Sequence, residues 1–267
     1  MHIYSFLQAV RDKAPLVHHI TNWVTIFDCA QVVKSFGASP VMAHAPEEVA
    51  AMTSIASALV LNIGTLTSDV IDSMKIATAA ANRKGIPIVL DVCGAGATPF
   101  RDTKCAELLD SAKIDVIKGN SSEIARVAGL AVATQGVDAG QVSADLHEVA
   151  KLLSEQRACT VVITGAEDVV ASSGKLFLVR NGHAMMTKLV GTGCMATSVI
   201  GSFASASPDQ IPEAATAGLA CYEIAAELAV KKADGPASFK QHLFDCIYQL
   251  DEKQIRALQQ VVSATSN

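Results

Sequence analysis

The sequence is poor in aromatic and charged residues, and it has no long continuous hydrophobic run. Of its 267 residues, 4% are aromatic and 18% are charged, whereas half are hydrophobic, mostly Ala and Val. This composition excludes an intrinsically disordered chain, which combines low hydrophobicity with high net charge. A chain of this length can bury a large core, and small apolar side chains suit helices that pack closely on a parallel sheet.

Clusters of basic residues are absent as well. Lys and Arg number 21 against 26 Asp and Glu, which gives a formal net charge of −5 with His neutral. A nucleic-acid partner requires clustered Lys and Arg to neutralise its phosphates, so we expect no such partner. This charge balance does not exclude a nucleotide that is held by backbone amides.

The cysteines do not pair along the sequence. Seven are present, an odd number, and no two of them form a C-x-x-C motif. We therefore expect reduced thiols in a cytoplasmic protein, not a disulfide framework or a cysteine-bound metal. Met1–Val10 lacks the basic start of a secretory signal. The uncharged stretches Val49–Ser68 and Leu189–Pro208 are too polar to span a membrane, so we expect no membrane partner.

Short apolar runs alternate with longer helical patterns through the first two thirds of the chain. Helical spacing over Trp23–Ser35 ends at Gly37, and a second helix is predicted to stop at Gly85. The predicted strands are Leu16–Ile20, Ala58–Asn62, Ile86–Asp91, Asp115–Lys118 and Cys159–Thr164. Alternating strands and helices predict an α/β fold with a mostly parallel central sheet and helices on both faces.

The pattern changes after the last of these strands. Val169–Ser173, Leu176–Arg180 and His183–Leu189 are predicted to be short strands joined by Ser-Gly and Asn-Gly turns, which indicates an antiparallel extension of the sheet. From Cys194 the chain is predicted to be helical nearly to its end. Gly136–Gly140 is the stretch most typical of a loop, yet strands continue past it, so we predict one domain over 1–267.

Polar and glycine residues follow the predicted strands, where open α/β sheets bind their ligands. Asp91 ends a very apolar strand and therefore needs an ion pair, hydrogen bonds or a metal, unless it only caps the glycine turn after it. Glu123 with Asn120 forms either a Mg²⁺ and phosphate pair or a helix capping box. Each motif also has a plain structural explanation, because strand-to-helix turns use Gly, Asn and Ser.

The turn Gly191-Thr192-Gly193 precedes a predicted helix, and its backbone N–H groups at the positive helix end suit an anion. The turn is neither a P-loop nor a G-x-G-x-x-G motif. Cys194 falls in the first helical turn, where the pKa of a thiol tends to fall. The alternative is that Cys194 is a small buried side chain.

Six short motifs stand out along the chain: ITNxV (Ile20–Val24), GASPVMA (Gly37–Ala43), LNIGTL (Leu61–Leu66), GAGAT (Gly94–Thr98), KGNSSEI (Lys118–Ile124) and VGTGCM (Val190–Met195). Three shorter motifs accompany them: ITG (Ile163–Gly165), NGH (Asn181–His183) and GPASF (Gly235–Phe239). In this order, they resemble the motifs of the hydroxyethylthiazole kinase family. The resemblance extends over nearly the whole chain.

The resemblance implies a ribokinase-like three-layer sandwich and a kinase of thiamine salvage. Such an enzyme phosphorylates the hydroxyl of 4-methyl-5-(2-hydroxyethyl)thiazole from ATP with Mg²⁺, as a homotrimer with thiazole sites between subunits. The residue roles that it implies are thiazole contacts from Asn22, Met42, Gly64 and Gly191, ATP contacts from Lys118 and Thr164, Mg²⁺ contacts from Asp91 and Glu123, and an anion hole over Gly191–Cys194 that includes Gly193. Cys194 would face the acceptor hydroxyl, where related sugar kinases have Asp.

Two positions depart from the family pattern. Lys118 stands where the family usually has Arg, which keeps the charge but loses bidentate phosphate binding. Val92-Cys93 stands where Pro-Val is usual. The alternatives to a thiazole kinase are a kinase for another small vitamin or sugar alcohol, a non-catalytic nucleotide sensor and an ATP-dependent lyase or dehydratase on the same scaffold. The GASPVM motif and Cys194 disfavour sugar kinases, which need polar residues to read hydroxyls.

Overall fold

The computed structural model describes residues 1–130 and 145–265, so the predicted loop-like stretch Gly136–Gly140 lies outside the described residues. The described helices are α1 Ile3–Lys13, α2 Ile26–Phe36, α3 Val49–Ile55, α4 Ser68–Lys84, α5 Pro99–Ser111, α6 Ser121–Val127, α7 Leu146–Arg157, α8 Thr192–Ala206, α9 Ile211–Val230, α10 Pro236–Gln249 and α11 Glu252–Leu258. The described strands are β1 Leu16–Ile20, β2 Ser39–Val41, β3 Ala58–Asn62, β4 Ile88–Asp91, β5 Val116–Asn120, β6 Thr160–Thr164, β7 Asp168–Ser172, β8 Lys175–Val179 and β9 Val261–Thr265.

All nine strands belong to one sheet in the order β2-β1-β3-β4-β5-β6-β7-β8-β9. The pairs from β2 through β6 are parallel, and the pairs from β6 through β9 are antiparallel. The strand order reverses at β1, whose neighbours β2 and β3 lie on opposite sides of it. Ligands of open α/β sheets bind at such a switch point, beyond the carboxyl ends of the strands.

Hydrophobic cores cover both faces of the sheet, as the near-continuous apolar runs of the parallel strands predict. Alternate residues point to opposite faces, so Val60 joins the core under α1, α2, α8, α9 and α10, while Leu59 and Leu61 join the core under α4 to α7. Helix α8 packs tightly on the sheet at Gly201, where a Cβ would be 2.3 Å from Val60 Cγ2. The predicted three-layer α/β architecture is confirmed.

The prediction of a strand at His183–Leu189 is wrong. Asn181 does not make a hairpin turn: its side chain donates to Glu227 Oε1 and to the Leu258 carbonyl, and it accepts from the Gln260 amide. The chain therefore leaves the sheet and forms a 3-10 helix, Ala184–Lys188. The third antiparallel strand is β9 from the C-terminal part of the chain, which pairs with β8.

The other predicted strands and the helix ends at Gly37 and Gly85 agree with the structure within a few residues. The first predicted helix starts at Ile26 and not at Trp23, because the Asn22 side chain holds the chain in a turn through the Thr25 amide. Within the described residues, none of the helices is long and apolar enough to cross a membrane.

Candidate active site

A cleft of about 590 Å³ opens at the carboxyl ends of the parallel strands, against the N-terminus of α8. It brings together nine of the ten residues whose roles the resemblance implies: Asn22, Gly64, Asp91, Lys118, Glu123, Thr164, Gly191, Gly193 and Cys194. The remaining one, Met42, follows β2 and does not line the cleft of its own chain. The prediction that these strand ends meet at one edge is confirmed as geometry.

Asn22 forms hydrogen bonds with three residues around the cleft. Its amide nitrogen donates to Asn62 Oδ1 at 3.1 Å and to Cys194 Sγ at 3.3 Å. Its amide oxygen accepts from the Thr25 amide and hydroxyl, at 3.1 and 3.0 Å. Asn62 Oδ1 also accepts from the Gly64 amide at 2.9 Å. This network fixes the ends of β1 and β3 relative to the first turn of α8.

Cys194 is held close to a second thiol. The Cys93 thiol donates to the Cys194 sulfur, and this bond together with the Lys118 ammonium lowers the pKa of Cys194 to about 7, against the opposing effects of burial and of Asp91. The same bond and burial raise the pKa of Cys93. A thiol with this pKa is partly ionised at neutral pH and can accept a proton.

We expect Cys194 to react with iodoacetamide along a pH curve whose midpoint is near 7, below the roughly 8.5 of an ordinary thiol. A depressed pKa means that the reactive thiolate is already present above pH 7. Stopped alkylation with mass-spectrometric assignment measures this curve. In Cys93→Ala, which removes the donor, the midpoint should rise. A midpoint that Cys93→Ala leaves unchanged would contradict the assignment.

The N-terminus of α8 forms a concave backbone surface next to Cys194. Gly191 is the N-cap residue with φ +92°, and its carbonyl accepts from the Met195 amide at 2.8 Å. The N–H groups of the first helical turn have no acceptor within the helix. A lysine reaches the same place, because the Lys118 ammonium nitrogen is 3.3 Å from the position of a Cβ on Gly193. This arrangement suits a phosphate.

Asp91 and Lys118 form a buried ion pair on neighbouring strands. Lys118 Nζ donates to Asp91 Oδ2 at 3.2 Å, and the two side chains are 5% and 1% exposed. The Thr197 hydroxyl of α8 donates to the same oxygen at 2.6 Å. Burial alone would lower the pKa of Lys118, but the carboxylates of Asp91 and Glu123 outweigh it and raise that pKa. Lys118 therefore stays charged.

Glu123 is a capping-box residue whose carboxylate also faces the cleft. Its Oε1 accepts from the Gly94 amide and its Oε2 from the Asn120 amide, both at 2.7 Å. Burial and the nearby charge of Asp91 raise the pKa of Glu123. The two interpretations left open by the sequence are thus compatible in geometry, since one carboxylate caps α6 and is directed at the cleft.

The acidic side chains of the cleft fit a metal ion that arrives with its ligand. Asp91 Oδ1 is buried and has no hydrogen-bond partner among the described residues, which leaves one oxygen for a cation. Mg²⁺ typically uses one or two carboxylates together with waters and substrate phosphates. In residues 1–130 and 145–265, no group of three or more His, Cys, Asp and Glu could hold a metal without such help.

A second cavity, of about 610 Å³, adjoins the cleft. The two share Thr164, Thr187, Thr192 and Gly193 in their linings, so a ligand at the N-terminus of α8 can extend into either. The Tyr222 hydroxyl of α9 donates to the Thr192 carbonyl at 3.3 Å and ties the second cavity to α8. Together they have the shape for a two-part ligand, with its anionic centre at Gly193.

Sequence reasoning missed two residues that shape the cleft. Arg101 of α5 donates to the carbonyls of Ile63, Gly64 and Cys93, at 2.8 to 3.2 Å, and so fixes the turns after β3 and β4. Thr197 binds Asp91 although 106 positions separate them in sequence. Neither contact has a local sequence signal, because both depend on how α5 and α8 pack on the sheet.

Known structures share the fold of this chain. A ribokinase-like superfamily protein from Enterococcus faecalis V583 superposes with a TM-score of 0.63 at 15% identity, covering 88% of this chain and 86% of that one. A hydroxyethylthiazole kinase protein from Pyrococcus horikoshii OT3 superposes with a TM-score of 0.90 at 38% identity, covering 98% of each chain.

Sequence comparison identifies the family of this chain. Residues 7–253 match the hydroxyethylthiazole kinase family. Hydroxyethylthiazole kinase of Methanosarcina mazei is 53% identical over 255 residues, which cover 96% of this chain and 97% of that protein. The enzyme of Desulfatibacillum aliphaticivorans is 47% identical over 255 residues, with 95% and 94% covered. The chain belongs to the hydroxyethylthiazole kinase family, as the motifs of the sequence indicate.

Proposed function

We propose that this protein is a kinase that transfers the γ-phosphoryl group of ATP to the hydroxyl of 4-methyl-5-(2-hydroxyethyl)thiazole, a reaction of thiamine salvage. The observation that carries the proposal is the position of Cys194, a thiol with lowered pKa in the first turn of α8 beside a backbone anion site. Family membership supports the choice of substrate. The continuous sheet from β1 to β9 supports one domain over 1–267.

In this mechanism, ATP places its phosphates at the N-terminus of α8 and its nucleoside in the second cavity. Lys118 and the hydroxyl of Thr164 contact the phosphates. The thiazole alcohol lies against Asn22, Gly64 and Gly191, with its hydroxyl near Cys194. Because phosphoryl transfer involves little covalent bonding to protein, positioning and charge neutralisation supply most of the catalysis.

The transfer step forms one bond and breaks another. The hydroxyl oxygen of the thiazole bonds to the γ-phosphorus, the bond from that phosphorus to the β,γ-bridging oxygen breaks, and ADP leaves with the electron pair. The hydroxyl proton goes to Cys194 Sγ. Asp91, through Oδ1, and Glu123 would hold Mg²⁺, which supplies neutralising charge on the phosphates.

An assay of product formation tests the function. Purified protein is incubated with ATP, Mg²⁺ and the thiazole alcohol, and thiazole phosphate is measured by mass spectrometry. Parallel reactions omit the alcohol, replace it with a sugar or another vitamin alcohol, or contain EDTA. We expect product only with thiazole, ATP and metal together. Product from another alcohol, and not from the thiazole, would favour a kinase for that alcohol. Nucleotide binding without turnover would favour a non-catalytic nucleotide sensor.

We expect Cys194→Ala to lower kcat by about 10- to 10²-fold without abolishing it. A general base contributes roughly 10²- to 10⁴-fold, and less in a loose transition state, where the nucleophile needs little prior deprotonation. Cys194→Asp should remain active, because a carboxylate also accepts the proton. Cys246→Ala, outside the cleft, is the control. A folded Cys194→Ala that has lost more than about 10⁴-fold would overturn this role.

A homotrimer is the proposed assembly, with thiazole sites between subunits. Large apolar side chains are exposed beside the cleft: Trp23 is 55%, Val24 68%, Phe27 74% and Val190 69% exposed. A neighbouring subunit on this patch would shield it from water. Such a neighbour would also bring its Met42 to the thiazole, since no Met42 lines the cleft of the same chain.

A cytoplasmic location is also part of the proposal. The free thiols support it, because the cytoplasm keeps cysteines reduced.

We expect Phe27→Asp to break the trimer, because a carboxylate would be buried in the interface. Light scattering should give three times the chain mass of 27.8 kDa for the unmodified protein and a smaller mass for the variant. Tyr248→Asp is the matched control, because Tyr248 is 75% exposed but lies away from Phe27. Arg11 donates to the Tyr248 carbonyl and packs against Gly37, which follows the C-terminus of α2, whereas Phe27 lies at its N-terminus. An active monomer of the unmodified protein would contradict the proposal.

A further inference from the structure

Two carboxyl groups form part of the wall of the second cavity, away from the cysteine cleft. Asp168 begins β7 and Glu223 lies on α9, and they are 3% and 7% exposed. Asp168 Oδ1 accepts from the Gly165 amide at 2.9 Å, and the carboxyl groups of Asp168 and Glu223 are within hydrogen-bonding reach of each other. Glu223 Oε2 is buried without a hydrogen-bond partner in the part of the chain that the structure describes. This buried acceptor lacks a hydrogen-bond donor, and a ligand could provide one.

The charges around this pair determine its protonation. Burial, and next the neighbouring Asp168 carboxylate, raise the pKa of Glu223 to about 11, with a further contribution from Glu227. The positive charge of Lys118 opposes the rise in the pKa of Asp168. Arg180 lines the cavity but forms an ion pair with Glu167. Because Glu223 holds a proton at neutral pH, its carboxyl group can donate to Asp168 through one oxygen and accept a hydrogen bond through the other.

The buried carboxyl pair disfavours the phosphate end of a nucleotide and favours its sugar. A phosphate beside Asp168 would bring two anions together in a buried site, which is unfavourable. A hydroxyl group is a neutral donor that matches the accepting oxygen of Glu223. Carboxylates recognise ribose hydroxyls in this way in dinucleotide-binding folds. Because the cavity joins the phosphate-binding end of α8 at Thr192 and Gly193, a bound nucleotide would direct its sugar into it.

We propose that Glu223, positioned by Asp168, determines specificity for the phosphoryl donor by accepting a hydrogen bond from a ribose hydroxyl. This inference rests on the proposed ATP-dependent function. It predicts that the protein discriminates between ribonucleotides and deoxynucleotides. It also predicts that Gln, which has the shape of a protonated Glu, replaces Glu223: its NH₂ group donates to Asp168 and its oxygen accepts from the sugar.

Nucleotide analogues combined with variants test the inference. For ATP, 2′-deoxy-ATP and 3′-deoxy-ATP, kcat/KM is measured in the unmodified protein, Glu223→Gln and Glu223→Leu, with Glu213→Gln at the start of α9 as control. We expect a preference for ATP over one deoxy analogue of roughly 10- to 100-fold, the ratio that one hydrogen bond supports. Glu223→Gln and Glu213→Gln should keep this preference. Glu223→Leu should reduce it to within about twofold while the KM for thiazole stays unchanged.

Calorimetric titration with ADP, 2′-deoxy-ADP and 3′-deoxy-ADP gives a second readout that needs no turnover. If the unmodified protein has no kinase activity but shows this preference in binding, the proposed function fails and the sugar contact stands. If kinase activity is present and Glu223→Leu, folded by circular dichroism, keeps the full preference, the inference is overturned. Equal use of all three nucleotides by the unmodified protein would also overturn it.

Discussion

Replacing Asp91 with Ala is expected to lower the free energy of unfolding by about 3–5 kcal/mol, the usual cost of removing one partner from a buried ion pair. The substitution leaves the Lys118 ammonium without the carboxylate 3.2 Å away, and it leaves the Thr197 hydroxyl without its acceptor. Turnover should disappear as well, because the proposed Mg²⁺ contact is lost together with the position of Lys118. Urea denaturation and the kinase assay measure the two effects.

Two further variants separate the charge effect from a general loss of packing. Asp91→Ala combined with Lys118→Met removes both charges, so stability should recover towards the unmodified value while activity stays absent. Asp110→Ala breaks the more exposed pair with Arg157 and should cost only about 0–1 kcal/mol. If Asp91→Ala were as stable as Asp110→Ala, the buried pair would have no structural role.

Local patterns were sufficient for most of the fold. The apolar runs that became β3, β4 and β5 are buried, so their hydrophobicity, together with the alternation of strands and helices, predicted a parallel sheet covered by helices. The Ser-Gly turn between β7 and β8 also forms as predicted, with Gly174 at φ +77°. Such elements depend on residues that are adjacent in sequence.

The errors arise where distant contacts decide the conformation. Asn181-Gly182 has a hairpin sequence, yet Glu227 and the segment before β9 bind Asn181 and turn the chain away from the sheet. The sequence near Val261 contains no pattern that predicts a strand, yet β9 forms there and pairs with the free edge of β8. Tertiary hydrogen bonds thus override the local preference for a hairpin at this position.

The same distinction applies to the candidate site. Strand ends indicated that Asn22, Asp91 and Glu123 would meet, and they line one cleft. Sequence reasoning could not identify which partner neutralises Asp91, since Lys118 lies 27 positions away. Glu223 had no signal, because it lies on a long helix whose face towards the cavity depends on the packing of α8 and α9.

Gly191→Ala is expected to reduce kcat by about 10²-fold or more, the loss that a misplacement of about 1 Å can cause. A Cβ at this position would lie 2.5 Å from Thr25 Cγ2, so either the Thr25 side chain or the turn before α8 must move. Movement there shifts the backbone N–H groups of the proposed anion hole. The positive φ of +92° adds backbone strain of roughly 1–2 kcal/mol.

Two comparisons assign this effect to the collision with Thr25. Gly174→Ala has similar strain at φ +77° with no atom within 4 Å of the new Cβ, so it should lower stability by about 1–2 kcal/mol and leave kcat unchanged. Thr25→Ser removes the colliding methyl group but keeps the hydroxyl that binds Asn22, so the Gly191→Ala/Thr25→Ser variant should regain part of the activity. Steady-state kinetics and thermal unfolding measure both quantities. A Gly191→Ala variant with full kcat would show that the N-terminus of α8 does not position the transferred phosphate.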